Sequence, residues 1–255
     1  MTSAAITVSQ IAEYNYCPRR IFLRSILQVN PAPKPVHHIR LARRILLKEL
    51  AFQRPNILKR EQDLQPECEK ALCLAVEKTR SYPELKSTPQ DAVAKAADEL
   101  RLEMPAFAQS LMRLKEEAGS VAANYLTPAV REPNLNHLQL NIRGTPDYMR
   151  QTPYAPVIIA ENDAGRPKEN EIFKATAYAL INCAKSNAPP VSYLDDPLSA
   201  TFTPVIITEA RKNQVIESIN AVQNILTTKK DSGVCPHGSH KKCAGCIYEE
   251  PCYRT

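Results

Sequence analysis

The chain has 255 residues, 44% hydrophobic and 24% charged, so it carries enough apolar material for a packed core and is not a disordered polymer. Thirty-three basic against 27 acidic residues leave a net charge of +6, which is compatible with a nucleic-acid partner without requiring one. No stretch stays apolar over the ~18 residues a bilayer demands, and MTSAAITVSQ lacks the segments of a secretory signal, so a cytoplasmic location and no membrane partner are expected.

In chain order, Ser9 is placed to cap a first helix through Tyr14, and Pro18 to open a second that runs to about Leu27. The proline-rich stretch 30–35 is a break, and helices are expected over 36–52, 64–79 and 89–126, the last interrupted at Pro105. The period then changes. Leu138, Leu140 and Ile142 alternate with polar neighbours, predicting one half-buried strand over 137–143, followed past Gly144 by a second over 145–150. VIIAE at 157–161 has the apolar run of a central strand, DAGRP at 163–167 a turn, and 168–185 a helix. A strand over 202–208 and a helix over 209–228 complete an α/β order with a mixed sheet. The remaining tail has no periodicity.

Eight cysteines in a chain expected to be cytosolic do not predict disulfides. Cys243-x2-Cys246-x5-Cys252, preceded by Cys235, has the spacing of a metal-binding set, for zinc or for an iron–sulfur cluster. Two fourth ligands are open on spacing alone. Cys235 gives a local knuckle, with His237 and His240 as alternates; Cys17, in YNYCPRR, would join the two ends of the chain. Cys68, Cys73 and Cys183 fall in helical patterns and are expected as buried thiols. Between Lys34 and Arg60, eight basic residues stand against Glu49 alone, which reads either as a solvated helix face or as a phosphate-tracking surface.

YCPRR at 16–20, GTPD at 144–147, the VIIAE strand end, KATAY at 174–178 and the terminal cysteines follow one another in an order that resembles the CRISPR-associated Cas-four family. These are RecB-like nucleases of the PD-(D/E)XK class, related to the nuclease domain of the Dna-two helicase. The resemblance covers almost the whole chain, with 51–126 matching only as a helical insertion. It implies a single nuclease domain over 1–255, built as a restriction-endonuclease-like mixed sheet flanked by helices, with a cysteine-rich cluster-binding tail over 235–255. It maps cluster ligands onto Cys17, Cys243, Cys246 and Cys252, leaves Cys235 as an extra, and favours an iron–sulfur cluster, 4Fe–4S ahead of 2Fe–2S, over zinc.

The resemblance also implies an active site. Asp147 and Glu161, from adjacent strand ends, would share Mg²⁺ or Mn²⁺, whose hard character suits carboxylate oxygens. A histidine would join them from a preceding helix, His37 or His38, with Val36-His37 the closer match. Two positions depart from the family pattern. Asp163 stands where a lysine usually follows the glutamate, and Lys174 stands where the helix usually has glutamine, although Tyr178 is retained. Residues 174 and 178 share a helix face, so Lys174 is expected to supply the displaced cation.

The function implied is a metal-dependent exonuclease acting on single-stranded DNA or overhangs, with Arg19, Arg20, Arg40, Arg43 and Arg44 holding the strand. Its setting would be spacer processing in CRISPR adaptation beside integrase proteins, with the oligomeric state open. Two other readings stand next to it: a DNA-binding or assembly subunit that keeps the fold and the cluster without turnover, favoured by Asp163, and a zinc-ribbon protein built on Cys235.

Overall fold

The computed structural model describes residues 5–61, 63–151, 156–161, 167–186, 191–233, 243 and 245–254. Strand β1 (Ile6–Thr7) leads into α1 (Val8–Tyr16), whose cap is Thr7 rather than the expected Ser9. Thr7 Oγ1 accepts from the Gln10 N–H at 3.1 Å, and Gln10 Oε1 accepts from the Thr7 N–H at 2.8 Å, so two end donors are satisfied reciprocally. The helix stops at Cys17 because Pro18 disfavours helical backbone in the residue before it; Cys17 is extended (φ −162°, ψ 112°), and α2 (Pro18–Ser25) starts with proline at its first position.

Helix α3 (Pro35–Leu58) runs six residues past the expected end at 52, straight through Pro55. Proline there leaves the Ala51 carbonyl without its helical donor. Arg54 supplies a substitute, its Nε donating to that oxygen at 3.2 Å. Helix α4 (Leu64–Thr79) matches expectation and is capped by Asp63. The region 89–126 divides into α5 (Gln90–Arg101), α6 (Met104–Ala118) and α7 (Ala122–Leu126). The break falls at 102–103, and Pro105 sits in the first turn of α6, where its missing N–H costs nothing. These helices bury one apolar cluster, with Leu46, Leu50, Leu100 and Phe107 at its centre; each fully buried side chain of this kind contributes about 1.5–3 kcal/mol.

Two sheets follow. The first has the order β1-β4-β3, with β3 (Leu135–His137) antiparallel and β1 parallel to β4 (Ile142–Gly144). The single strand expected over 137–143 is therefore a hairpin. Asn141 has a positive φ of 49° and closes the turn, and Leu138, counted in the alternation, is 83% exposed at its tip. The second sheet has the order β2-β5-β6-β7-β8, from Val130–Arg131, Tyr148–Gln151, Pro156–Glu161, Ser192–Asp196 and Thr201–Val205. Only the β6–β7 pair is parallel, and α8 (Glu169–Ser186) forms its crossover, so the sheet is mixed as expected. The expected turn at 163–167 lies, apart from Pro167, outside the described residues. Strand β7 carries no sequence-based expectation, because the reason for its two carboxylates is tertiary.

Helix α8 packs on β3, β4, β6 and β7 and so bridges the two sheets, with α1 and α9 (Glu209–Thr228) laid against it. A second apolar cluster, including Ile11, Phe173, Ile181 and Val222, fills this layer. A third, of Phe52, Tyr148, Val157 and Ile159, glues α3 to the sheet. A short helix, α10 (Glu249–Arg254), ends the described chain. No helix among the described residues is long and apolar enough to cross a membrane.

Candidate functional site

The chain leaves β4 at Gly144 and enters β5 at Tyr148, so residues 145–147 connect the two sheets. Gly144 is required by close packing: a Cβ there would stand 2.7 Å from both Tyr178 Cε1 and Val8 Cγ2. Tyr178 in turn donates its hydroxyl to the Thr145 carbonyl at 3.2 Å. Helix α8 thus pins the connection that carries Asp147. Tyr148 is the register partner of Ile159, so one further antiparallel step sets Asp147 beside Ala160, next to Glu161 at the end of β6.

The Asp147 carboxylate is 13% exposed and lies 3.8 Å from the Arg44 guanidinium of α3. Lys174 and Tyr178 share this field. Burial and then Arg44 push the Lys174 ammonium below its ordinary value, while Asp147 and Glu171 pull it part of the way back. Burial and then the Asp147 charge raise the Tyr178 phenol well above its ordinary value, against Arg44. Asp147, Lys174 and Tyr178 are therefore brought together, and Arg44, expected only as a strand-holding residue, joins them. Its spacing of seven residues from His37, two turns along one helix face, is the signal that would have found it. Glu161 has its backbone at the edge of this group; Asp163 lies outside the described residues.

His37 is placed elsewhere. Its Nδ1 accepts from the Lys34 N–H at 3.1 Å, so its Nε2 carries the proton and donates to the Gly245 carbonyl at 3.2 Å. Both ring nitrogens are engaged away from Asp147. His38 contacts Thr88 Oγ1 at 3.4 Å.

Cys17 and the tail cysteines belong to a second group of contacts, between the α1–α2 junction and the end of the chain. The kink at Cys17 turns toward the tail, where the Cys246 N–H bonds the Cys243 carbonyl at 2.7 Å and the Cys252 N–H bonds the Tyr248 carbonyl at 2.8 Å. Arg19 ties the two ends together: Nη1 donates to the Cys252 carbonyl and lies 3.4 Å from its Sγ, and Nη2 pairs with Asp231 at 3.1 Å. Arg20 stacks between the Tyr16 ring at 5.2 Å and the Tyr248 ring at 5.5 Å. Burial raises the Tyr16 phenol, and charge on Cys246, Cys243 and Cys17 raises it further, against Arg20. Tyr253 is raised chiefly by its hydrogen bond to Cys243. Sulfur donors from both chain ends thus surround Tyr16, a donor set of the chemistry an iron–sulfur cluster takes, although among the described residues no three His, Cys, Asp or Glu side chains already close on one point. Cys235, His237 and His240 lie outside the described residues. Of the cysteines expected as buried thiols, Cys68 is buried and pushed up to about 12, mainly by desolvation, Cys183 is half-buried and Cys73 is exposed.

The basic run of α3 does not form one surface. Arg54 is fully buried, Arg43 pairs with Glu103 at 2.8 Å and Lys48 with Glu132 at 2.5 Å. Arg40 and Arg44 stay exposed on that helix. Scans of the sequence against protein-family models and against curated proteins give no match.

Proposed function

We propose that the chain is a metal-dependent DNA exonuclease of the restriction-endonuclease-like, RecB-type class, with residues 51–126 as its helical insertion and an iron–sulfur cluster held by the cysteines of the two chain ends. The observation that carries this reading is the meeting of Asp147 with Lys174 and Tyr178 beside the end of β6. A carboxylate on an inter-sheet connection, a second at a neighbouring strand end and an ammonium one helical turn from a tyrosine form a set suited to phosphodiester hydrolysis.

Asp147 and Glu161 would hold Mg²⁺ or Mn²⁺, which when bound supplies Lewis acidity toward the phosphate. Lys174 places positive charge beside the phosphoryl oxygens, where charge builds in the transition state; burial and then Arg44 lower its pKa from the ordinary lysine value. Tyr178 acts on Asp147 through Thr145, fixing the connection rather than touching the reacting atoms. Arg44 neutralises Asp147 and draws the phosphate chain in. Cys17, Cys243, Cys246 and Cys252 would hold the cluster and so join the chain ends. The implied setting is end-trimming of single strands or overhangs during CRISPR adaptation, beside integrase proteins.

One observation favours a second reading, a DNA-binding or assembly subunit without turnover: a guanidinium, not an imidazole, faces Asp147, and His37 is committed to the tail. Digestion of end-labelled single-stranded DNA with Mn²⁺ or Mg²⁺ separates the two, with Asp147→Ala as control. Cleavage abolished by Asp147→Ala supports the nuclease; binding without cleavage under either metal supports the subunit.

A further inference from the structure

Next to the Gly144 connection lies a cleft of about 550 Å³, within the size range of small-molecule sites, lined by Asn134, Asn136, Arg143, Gly144, Thr145 and Tyr178 among others. Its construction follows from the three-stranded sheet. Thr7 of β1, Arg143 of β4 and Asn136 of β3 are register partners in one row across the sheet. Partners in a row project from the same face, and at ~4.8 Å per strand the row spans about 10 Å. The neighbouring rows turn Ile6, Ile142 and Leu135 into the core. One face of this small sheet is therefore apolar and packed, and the other presents a hydroxyl, a guanidinium and an amide to the cleft.

The three groups differ in what they have left to offer. The Thr7 hydroxyl is taken by its cap with Gln10. Arg143 and Asn136 are exposed, and among the described residues neither side chain has an ion pair or hydrogen bond. Asn134 receives Thr145 Oγ1 at 3.0 Å, which keeps its NH₂ donors available. A guanidinium suits a phosphate bidentately, amides suit the edge of a base, and the edge of the Tyr178 ring lines the cleft beside them. The cleft shares Thr145 and Tyr178 with the Asp147 connection, so a group bound in it lies directly beside the candidate reaction centre.

We propose that this cleft seats one nucleotide of the DNA strand adjoining the cut phosphodiester, its phosphate on Arg143 and its base among Asn134 and Asn136. The inference rests on the nuclease or DNA-binding reading above, and it assigns to Arg143 and Asn136 a substrate contact that the carboxylates and Lys174 do not provide.

The test is the affinity of the full-length protein for a fluorescent single-stranded oligonucleotide, with Ca²⁺ replacing Mg²⁺ to hold back cleavage, as a function of salt. Arg143→Ala and the cleft-filling Asn136→Trp are compared with Arg113→Ala, which removes the same charge from an exposed position on α6. Loss of a charge-assisted hydrogen bond to phosphate predicts about 10-fold or greater weakening for Arg143→Ala and a comparable loss for Asn136→Trp, with little change for Arg113→Ala. If Arg143→Ala and Asn136→Trp bind no worse than Arg113→Ala, the cleft is not a strand site, while wild-type binding keeps the functional reading intact. If wild type itself binds no DNA, the functional reading fails and takes the cleft with it. Should a free deoxynucleoside monophosphate occupy the cleft without being displaced by the oligonucleotide, the commitment to a strand is overturned in favour of a free nucleotide.

Discussion

Replacing Asp195 by alanine should strongly destabilise this protein. Asp195 and Arg54 are both 0% exposed. They form a two-pronged pair, Arg54 Nη1 to Oδ1 at 2.9 Å and Nη2 to Oδ2, and the Tyr148 hydroxyl donates to Oδ2 at 2.8 Å. Truncation leaves a buried guanidinium whose other partners are backbone carbonyls at 3.2 to 3.5 Å, which bring no countercharge. Removing one partner of a buried pair costs about 3–5 kcal/mol, a large share of a total stability of about 5–15 kcal/mol. At about 2–4 °C per kcal/mol for a chain of this size, the melting temperature should drop by roughly 6–20 °C. Urea unfolding of wild type, Asp195→Ala, Arg54→Met and the Arg54→Met/Asp195→Leu double variant measures it. The double variant should recover part of the loss, because it removes the desolvation penalty of the charges but also takes their partners from the Tyr148 hydroxyl and the Ala51 carbonyl. A cost for Asp195→Ala below about 1 kcal/mol at unchanged m-value would refute the reasoning.

Four further outcomes are expected. Lys174→Ala should lower cleavage on the order of 10²-fold, as loss of a transition-state electrostatic contact does, with DNA affinity nearly intact; Lys174→Arg should keep part of the rate and move the alkaline limb of the pH–rate profile upward, since the lysine limb lies below the ordinary lysine value. Cys17→Ser should reduce the iron content and visible absorption of anaerobically purified protein, whereas retention of full iron by Cys17→Ser with its loss in Cys235→Ser would favour the local knuckle. Gly144→Ala should lower stability and cleavage together in thermal and nuclease assays, because the added methyl meets Val8 and Tyr178 at 2.7 Å. Tyr148 and Tyr178 keep their protons in the folded state above the ordinary tyrosine value of about 10, so the unfolded chain binds fewer protons there and their contribution must fall as pH rises past that value; Tyr178→Phe should flatten that alkaline decline in a melting series.

The helices were legible in the sequence because their signals are local. Pro18 and Asp63 set starts within a turn of themselves, and the α4 bounds match the periodicity at both ends. What stayed hidden depends on partners distant in sequence. Strand β7 carries Asp195, whose burial makes sense only beside Arg54, 141 positions away. The same arginine carries α3 past Pro55 by satisfying Ala51, so one side chain accounts for both an unpredicted strand and a misplaced helix end. The alternation at 137–143 misled for a local reason, since Asn141 tolerates the positive φ that folds the strand into a hairpin. Within the candidate site, KATAY placed Lys174 and Tyr178 on one face correctly, but which residue of α3 faces Asp147 depends on how far along the helix tertiary packing sets that connection, and it lies at Arg44, two turns beyond His37.

Helix α3 links these observations physically. Near its first turn His37 and Lys34 hold the tail, through the Gly245 carbonyl and, at 3.5 Å, through Glu249. Two turns on, Arg44 faces Asp147, and near its end Arg54 is locked into β7. A helix clamped at 54 by a buried ion pair and at 37 by a hydrogen-bonded ring has little freedom to slide or rotate between those points, so the position of Arg44 over Asp147 is set by contacts that Arg44 does not make itself. The two clamps differ in strength. The pair at Arg54 is dry and two-pronged, whereas the His37 contact is exposed and depends on the tail staying docked. Disturbing the tail therefore removes the contacts at Lys34 and His37, while the core packing of Leu46 and Leu50 and the pair at Arg54 remain. In that arrangement the residues that dock the tail also help hold the helix that sets Arg44 over Asp147.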